Sequence, residues 1–177
     1  MPLVDKVKSR VRDIKDFPKP GIIFKDITPV FADPELMDEI VRELVSKFRD
    51  KRIDAVAAVE ARGFIFGSIL AHALKCRFIP IRKAGKLPYQ TRKQEYALEY
   101  GTSVIEMHED AVEPGWRVLV HDDLLATGGT AVAAATLLES MGAELAGFSF
   151  IINLSFLPGA RRLHDAFGST PSCLVQY

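Results

Sequence analysis

The strongest constraint on this chain is an alternation. Short apolar runs at 54–59, 78–81, 117–120 and 145–152 are separated by helical stretches at 63–74 and 131–141. Runs this short and this apolar suit parallel strands buried on both faces. Strand–helix–strand repetition predicts an α/β fold, a central and mostly parallel sheet flanked by helices. Upstream, Val4, Val7, Val11 and Ile14 recur at helical spacing among lysines and arginines and predict an amphipathic first helix. Residues 17–21 carry two prolines and a glycine and read as a loop. A second helix opens with Asp33 as its cap and Pro34 at its first position, and its apolar stripe is Leu36, Ile40, Leu44 and Phe48.

Residues 82–110 interrupt the alternation. Arg82, Lys83, Lys86, Arg92 and Lys93 crowd a stretch bearing glycine and proline, and alternating segments follow around 96–100 and 103–108. This predicts a long loop and a β-hairpin thrown out from the sheet, a flexible lid in function.

At 177 residues the chain is long enough for one domain with a real core, 1–177. Apolar content of 48% with 26% charged residues is that of a soluble globular protein. A formal net charge of zero argues against a nucleic-acid or membrane-surface binder. The opening Met-Pro-Leu-Val-Asp-Lys lacks the apolar stretch of a signal peptide, and no run approaches membrane-spanning length. Cys76 and Cys173 lie far apart in apolar contexts and read as buried, reduced thiols. A cytoplasmic location is expected.

Residues 118–130 read Val-Leu-Val-His-Asp-Asp-Leu-Leu-Ala-Thr-Gly-Gly-Thr. An apolar strand delivers Asp122 and Asp123 to its carboxyl end, and Ala126, Thr127, Gly128, Gly129 and Thr130 turn into a helix. Glycines let backbone approach an anion closely, and the first N–H groups of a helix have no internal partner. With the helix dipole they make a phosphate site. The paired acids can accept hydrogen bonds from vicinal sugar hydroxyls or face a magnesium ion brought by phosphates. The plainer reading is an ordinary strand-to-helix turn with a solvated acidic edge. The run is neither a Walker loop nor a Gly-x-Gly-x-x-Gly turn. In an open α/β sheet ligands sit beyond the carboxyl ends of the strands, where 60–63, Arg82 with Lys83, and 122–130 would converge.

This run resembles the phosphoribosyl-pyrophosphate (PRPP) signature of type I phosphoribosyltransferases, in the version found in adenine phosphoribosyltransferases. Other segments agree in the same order: Phe17-Pro18-Lys19-Pro20-Gly21-Ile22-Ile23-Phe24-Lys25-Asp26-Ile27-Thr28-Pro29, Glu60-Ala61-Arg62-Gly63-Phe64, Ile81-Arg82-Lys83-Ala84-Gly85-Lys86-Leu87-Pro88 and Leu98-Glu99-Tyr100-Gly101. The resemblance runs from about residue 11 onward. It implies transfer of a phosphoribosyl group from PRPP to adenine, giving AMP and pyrophosphate, with Mg2+ carried by PRPP near Asp122 and Asp123. It also implies a homodimer and a hood over the base at residues 1–35.

In that reading 126–130 hold the 5′-phosphate, Asp122 and Asp123 the ribose hydroxyls, and Arg62, Arg82, Lys83 and Lys86 the pyrophosphate end. Arg82 can instead complete a partner subunit's site, and without the resemblance Arg82 and Lys83 read equally as a solvated edge. Glu99 is implied as the group that handles a proton on the purine, with Tyr100 beside it; on its own Glu99 is an exposed hairpin acid. The backbone of Ile23, Phe24 and Lys25 would read the adenine edge, and Phe24 and Leu124 would border the ring. By residue type alone, Ile22, Ile23 and Phe24 belong to a core. Ala61, Lys25, His121, Asn153 and Ala160 depart from the family's usual residues. For His121 the expectation is a core histidine hydrogen-bonded to a neighbouring strand. The rivals are a PRPP-binding regulator without turnover and a transferase for another base. Zero net charge weighs against the first, and 23–25 with 98–100 against the second.

Overall fold

In the computed structural model, which describes residues 1–98 and 101–177, the chain opens with helix α1 (Leu3–Arg10), strands β1 (Arg12–Lys15) and β2 (Ile23–Asp26), helix α2 (Thr28–Phe31) and helix α3 (Pro34–Phe48). There follow β3 (Ala55–Val59), α4 (Gly63–Leu74), β4 (Arg77–Lys83), β5 (Thr91–Ala97), β6 (Thr102–His108), β7 (Arg117–Leu125), α5 (Gly129–Ser140), β8 (Glu144–Asn153), α6 (Gly159–Phe167) and β9 (Ser172–Gln176). The main sheet has the order β5-β6-β4-β3-β7-β8-β9. Its five strands from β4 to β9 are parallel, as the alternation predicts.

Strand β3 lies between β4 and β7 and is buried at all five positions. Its side chains alternate between two cores. Ala55, Ala57 and Val59 join the face covered by α5 and α6, with Leu138, Leu163 and Phe148. Val56 joins the face covered by α1, α3 and α4, with Val7, Leu44 and Phe66. Removing a side chain of this size from water is worth about 1.5–3 kcal/mol, and the sheet is packed in this way on both faces. Helix α3 keeps its predicted start: the Asp33 carboxylate accepts from the Leu36 N–H at 3.1 Å, and all four stripe residues are buried.

Four expectations need correction. The first helix stops at Arg10, and Ile14 lies in β1 instead. That strand pairs antiparallel with β2, placing Arg12 opposite Asp26 and Asp13 opposite Lys25. Both facing pairs are ion pairs at 2.7 Å, the kind of cross-strand match that holds a short ribbon. The hood segment therefore contains a ribbon as well as helices and loops. Second, Ile22 and Ile23 are not core; they are 44% and 52% exposed. Third, the hairpin β5–β6 is not thrown out from the sheet. Arg82 and Lys83 pair with Glu106 and Ile105 and weld it to the sheet edge. The cysteines are free and half-buried rather than fully buried.

Candidate active site

Because the central strands are parallel, β3, β4 and β7 end on the same edge of the sheet. There Glu60 accepts from Arg82 and Lys83, and Arg62 pairs with Asp123, which brings 60–63 beside the end of β4 on one side and β7 on the other. Strand β7 is longer than expected. It carries Asp122 and Asp123 within its last residues and ends at Leu125, so both acids sit on rigid backbone.

Gly128 takes a φ of +79°, which lets the chain turn straight into α5. The carbonyl and Cα of Gly159 lie 3.1 and 3.2 Å from where a Gly128 side chain would be, so α6 buttresses the loop backbone against backbone. No side chain caps α5, and the Gly128 carbonyl accepts from Val132 N–H, one full turn on. The opening amides of α5 therefore face a cavity of about 100 Å³ lined by Asp122, Leu124, Ala126, Thr127, Gly128, Gly129 and Thr130. Uncompensated helix N–H groups around a cavity of this kind favour an anion.

The acid pair is unequal. Asp122 Oδ1 accepts from the Asp123 N–H at 2.8 Å. Burial, and then the neighbouring Asp123 charge, push the Asp122 carboxyl well above the usual carboxylate range, with Arg62 opposing. Gly63, the first residue of α4, has no room for a side chain because Asp122 Oδ1 would stand 2.7 Å from it. Asp123 is 4% exposed and lies 2.7 Å from Arg62 Nε. No hydrogen bond to that Oδ2 is aligned, so the contact is an ion pair that a better-placed donor can replace. The Arg62 guanidinium lies 5.0 Å from the centroid of the Phe24 ring, and Phe17 packs edge-on against Phe24 at 5.2 Å. One arginine thus joins Asp123 to Phe24 in the N-terminal segment. Leu124 packs on the hood side of the sheet. Lys25 turns its side chain away, to Asp13 at 2.7 Å and over the Tyr177 ring at 4.1 Å, and leaves only its backbone for other work.

The basic residues after β4 are held differently from what their charge suggests. Arg82 Nε donates to Glu60 at 2.7 Å and its Nη1 to the Lys86 carbonyl at 3.0 Å. The Lys83 N–H donates to the same carboxylate at 2.9 Å. Burial pushes the Glu60 carboxyl up, but Lys83 N–H and Arg82 outweigh it and leave it below its ordinary value. Glu106, 1% exposed, accepts from the N–H groups of Lys86 and Leu87 and from the Thr91 hydroxyl. Lys83 and Lys86 keep exposed side chains. Glu99 and Tyr100, the implied proton handler and its neighbour, lie outside the described residues.

His121 is fully buried, and its Nδ1 lies 3.2 Å from Ser149 Oγ on β8, as expected. Burial lowers its pKa to about 3, so the ring is neutral. Asn153 is buried opposite Leu125, where an uncharged side chain needs no counter-ion. Ala160 packs against the core beneath α6. Sequence reasoning missed Tyr96, whose hydroxyl is 3.2 Å from Thr130 Oγ1, and the two anchoring acids Glu60 and Glu106. Tyr96 stood in an alternating stretch as one more polar-tipped strand residue, with nothing local to tie it to Thr130.

An uncapped anion loop, an acid pair beside it and a parallel sheet behind them define a phosphoribosyltransferase domain, and the phosphoribosyl transferase domain family matches residues 30–170. The adenine phosphoribosyltransferase of Anaeromyxobacter dehalogenans is 52% identical over 164 residues, 93% of this chain and 95% of that protein. The crystal structure of the Rhodothermus marinus enzyme of that name superposes with a TM-score of 0.93 at 48% identity, covering 99% of this chain and 98% of the other. That of the Giardia lamblia enzyme complexed with 9-deazaadenine gives 0.93 at 32% identity, over 100% and 98%. The chain belongs to the adenine phosphoribosyltransferase family.

Proposed function

We propose that this chain transfers the 5-phosphoribosyl group of PRPP to N9 of adenine and releases pyrophosphate, with AMP as the nucleotide product. The observation that carries this reading is the meeting, at one sheet edge, of the uncapped amides of α5, the Asp122–Asp123 pair and an arginine that reaches Phe24. The loop 126–130 takes the 5′-phosphate, and Asp122 and Asp123 accept hydrogen bonds from the ribose hydroxyls. Arg62 exchanges Asp123 for the pyrophosphate, whose negative charge grows as the C1′–O bond breaks. Lys83 and Lys86 add positive charge there. Arg82 is engaged by Glu60 within its own chain, so it acts by shaping the loop or, through a rearrangement, in a partner's site of a homodimer.

Among the described residues no three His, Cys, Asp or Glu side chains converge as a metal site. The acid pair suits a magnesium ion that arrives on PRPP, where it would neutralise phosphate oxygens and draw on few protein ligands. Adenine lies against Phe24 and Leu124, with its edge read by the backbone of 23–25. As the N9–C1′ bond forms, the N9 proton passes to the Glu99 carboxylate, general-base work worth about 10²–10⁴-fold in rate. Tyr100 borders the same ring. Among the described residues no helix is long and apolar enough to cross a membrane, and salvage of a free base in the cytoplasm fits such a chain.

A base-competition assay tests the reading. The protein is incubated with magnesium and PRPP and with adenine, hypoxanthine, guanine, xanthine or orotate, and nucleotide and pyrophosphate are measured. Adenine is expected to be the one base converted efficiently, with one pyrophosphate per AMP. Faster conversion of an oxopurine or of orotate would move the chain to another base, and no turnover with any base would favour a PRPP-binding regulator.

A further inference from the structure

Helix α6 approaches the anion loop for a packing reason. Its first residue, Gly159, lies against the backbone of 126–128, and a side chain there would collide with the Ala126 carbonyl and Leu125. One turn on, the N–H of Arg162 bonds to the Pro158 carbonyl at 2.9 Å and fixes Arg162 in the first turn of α6. Its Nη1 stands 3.4 Å from where a Gly129 side chain would begin. Arg162 lines a second, larger cavity of about 810 Å³ with Tyr96 and Lys19, and this cavity shares Thr127, Gly129 and Thr130 with the first. Its neighbour Arg161 pairs with Asp165 at 3.5 Å. Among the described residues, Arg162 pairs with no acid.

We infer that Arg162 is a further binding residue for the 5′-phosphate. An exposed arginine with no acid partner among the described residues, held over helix amides that also lack an acceptor, brings a charge to a loop whose own donors are backbone N–H groups and hydroxyls. The fork of a guanidinium matches phosphate oxygens two at a time. This assignment rests on the reading of 126–130 as the 5′-phosphate cradle. It separates Arg162 from Arg62 by chemistry. The 5′-phosphate is common to PRPP, AMP and ribose 5-phosphate, whereas the pyrophosphate that Arg62 meets belongs to PRPP alone.

The test uses Arg162→Ala and Arg162→Lys in the full chain, with titration calorimetry against AMP, ribose 5-phosphate and adenosine beside steady-state kinetics. Because the side chain is exposed, both variants are expected to melt like the parent. The alanine variant should lose roughly ten- to a hundredfold in affinity for AMP and ribose 5-phosphate, the size of one charge-assisted contact. The KM for PRPP should rise by the same factor, with kcat and adenosine binding little changed. Lysine should restore part of the loss because it keeps a positive charge, whereas a purely structural role for the side chain would weaken adenosine binding as well. Unchanged AMP and ribose 5-phosphate affinity would overturn the assignment. So would a loss confined to PRPP, since that places Arg162 at the pyrophosphate. If the parent made no AMP yet bound AMP and ribose 5-phosphate, the transfer reading would fall, and the comparison of variants would still decide Arg162.

Discussion

Asp122 is the residue whose surroundings most oppose its charge. Burial comes first and the adjacent Asp123 second, and both raise its pKa. In an unfolded chain the carboxyl ionises near its ordinary value, whereas in the folded chain it holds its proton to higher pH. The unfolded state therefore binds fewer protons above that ordinary value, and folding stability falls as pH climbs from there through the raised pKa. Asp122→Asn keeps the acceptor for the Asp123 N–H and removes the charge. It is expected to raise Tm at neutral pH, with the gain vanishing below pH 3.8, the ordinary value for an aspartate, and to weaken PRPP binding at the same time. Stability surrendered for binding is a common arrangement at ligand sites. A neutral-pH melt no higher than the parent's would mean that the ligand-free site is not strained by this acid. The site around Asp122 was legible because residues 118–130 carry strand, acids, turn and helix start in one contiguous run. Arg162 and Tyr96 were not. They reach the same loop from α6 and β5, and neither has a local pattern that marks it.

Among the elements, the segment between β4 and β5 differs most from its sequence impression. Glycine, proline and surplus positive charge suggested a lid, yet residues 85–87 close around Glu106, and Arg82 holds the Lys86 carbonyl from the other side. Burial pushes the Glu106 carboxyl up, but the N–H groups of Leu87, Gly85 and Lys86 and the Thr91 hydroxyl outweigh it and hold it below its ordinary value. Any closure over a ligand has to carry this knot along or break it. Glu106→Gln turns an amide NH₂ toward donors and removes the charge. It should cost roughly 2–3 kcal/mol and make trypsin cut faster after Lys86 than in the parent. Equal cutting in the two proteins would show that the carboxylate does not restrain the loop. In sequence Glu106 looks like the polar member of an alternating strand, and only the β4–β6 register, two residue pairs long, brings it under the loop. The ribbon β1–β2 escaped for a related reason. Every residue of β1 is exposed, so no apolar period announces a strand, and its partner lies beyond the 17–21 loop. The helices α3 and α4 and the strand β3 were read nearly residue for residue, because each buries a regular stripe or a continuous run.

For the whole molecule, acid sets the terms of stability, and the contributions separate by pH window. Glu60 and Glu106 have lowered pKa values, so what they contribute is present above their unfolded values and is lost only as pH falls below about 4.5, the ordinary value for a glutamate. Asp26, held at about 2 by Thr28 and Arg12, acts lower still. His121 acts first. Its pKa falls from 6.5 to about 3 through burial alone, so between those values the unfolded chain takes a proton that the folded chain refuses. Stability is therefore full above pH 6.5 and declines as pH drops, approaching about 1.4 kcal/mol per unit for one proton. The raised carboxyl of Asp122 works in the opposite direction. The histidine sits at 0% exposure between the sheet and α4, one residue before the acid pair. Its protonation would put a charge under the site with only Ser149 to meet it. His121→Gln supplies a neutral side chain that can still bond Ser149. Denaturant melts of both proteins from pH 7 to 4.5 should give a parent whose stability falls with acid and a variant whose curve is flatter by nearly one proton. The variant starts lower at pH 7 because its fit is imperfect, so the slope and not the absolute stability carries the result. Parallel slopes would place the refused proton on another group and leave His121 as packing alone.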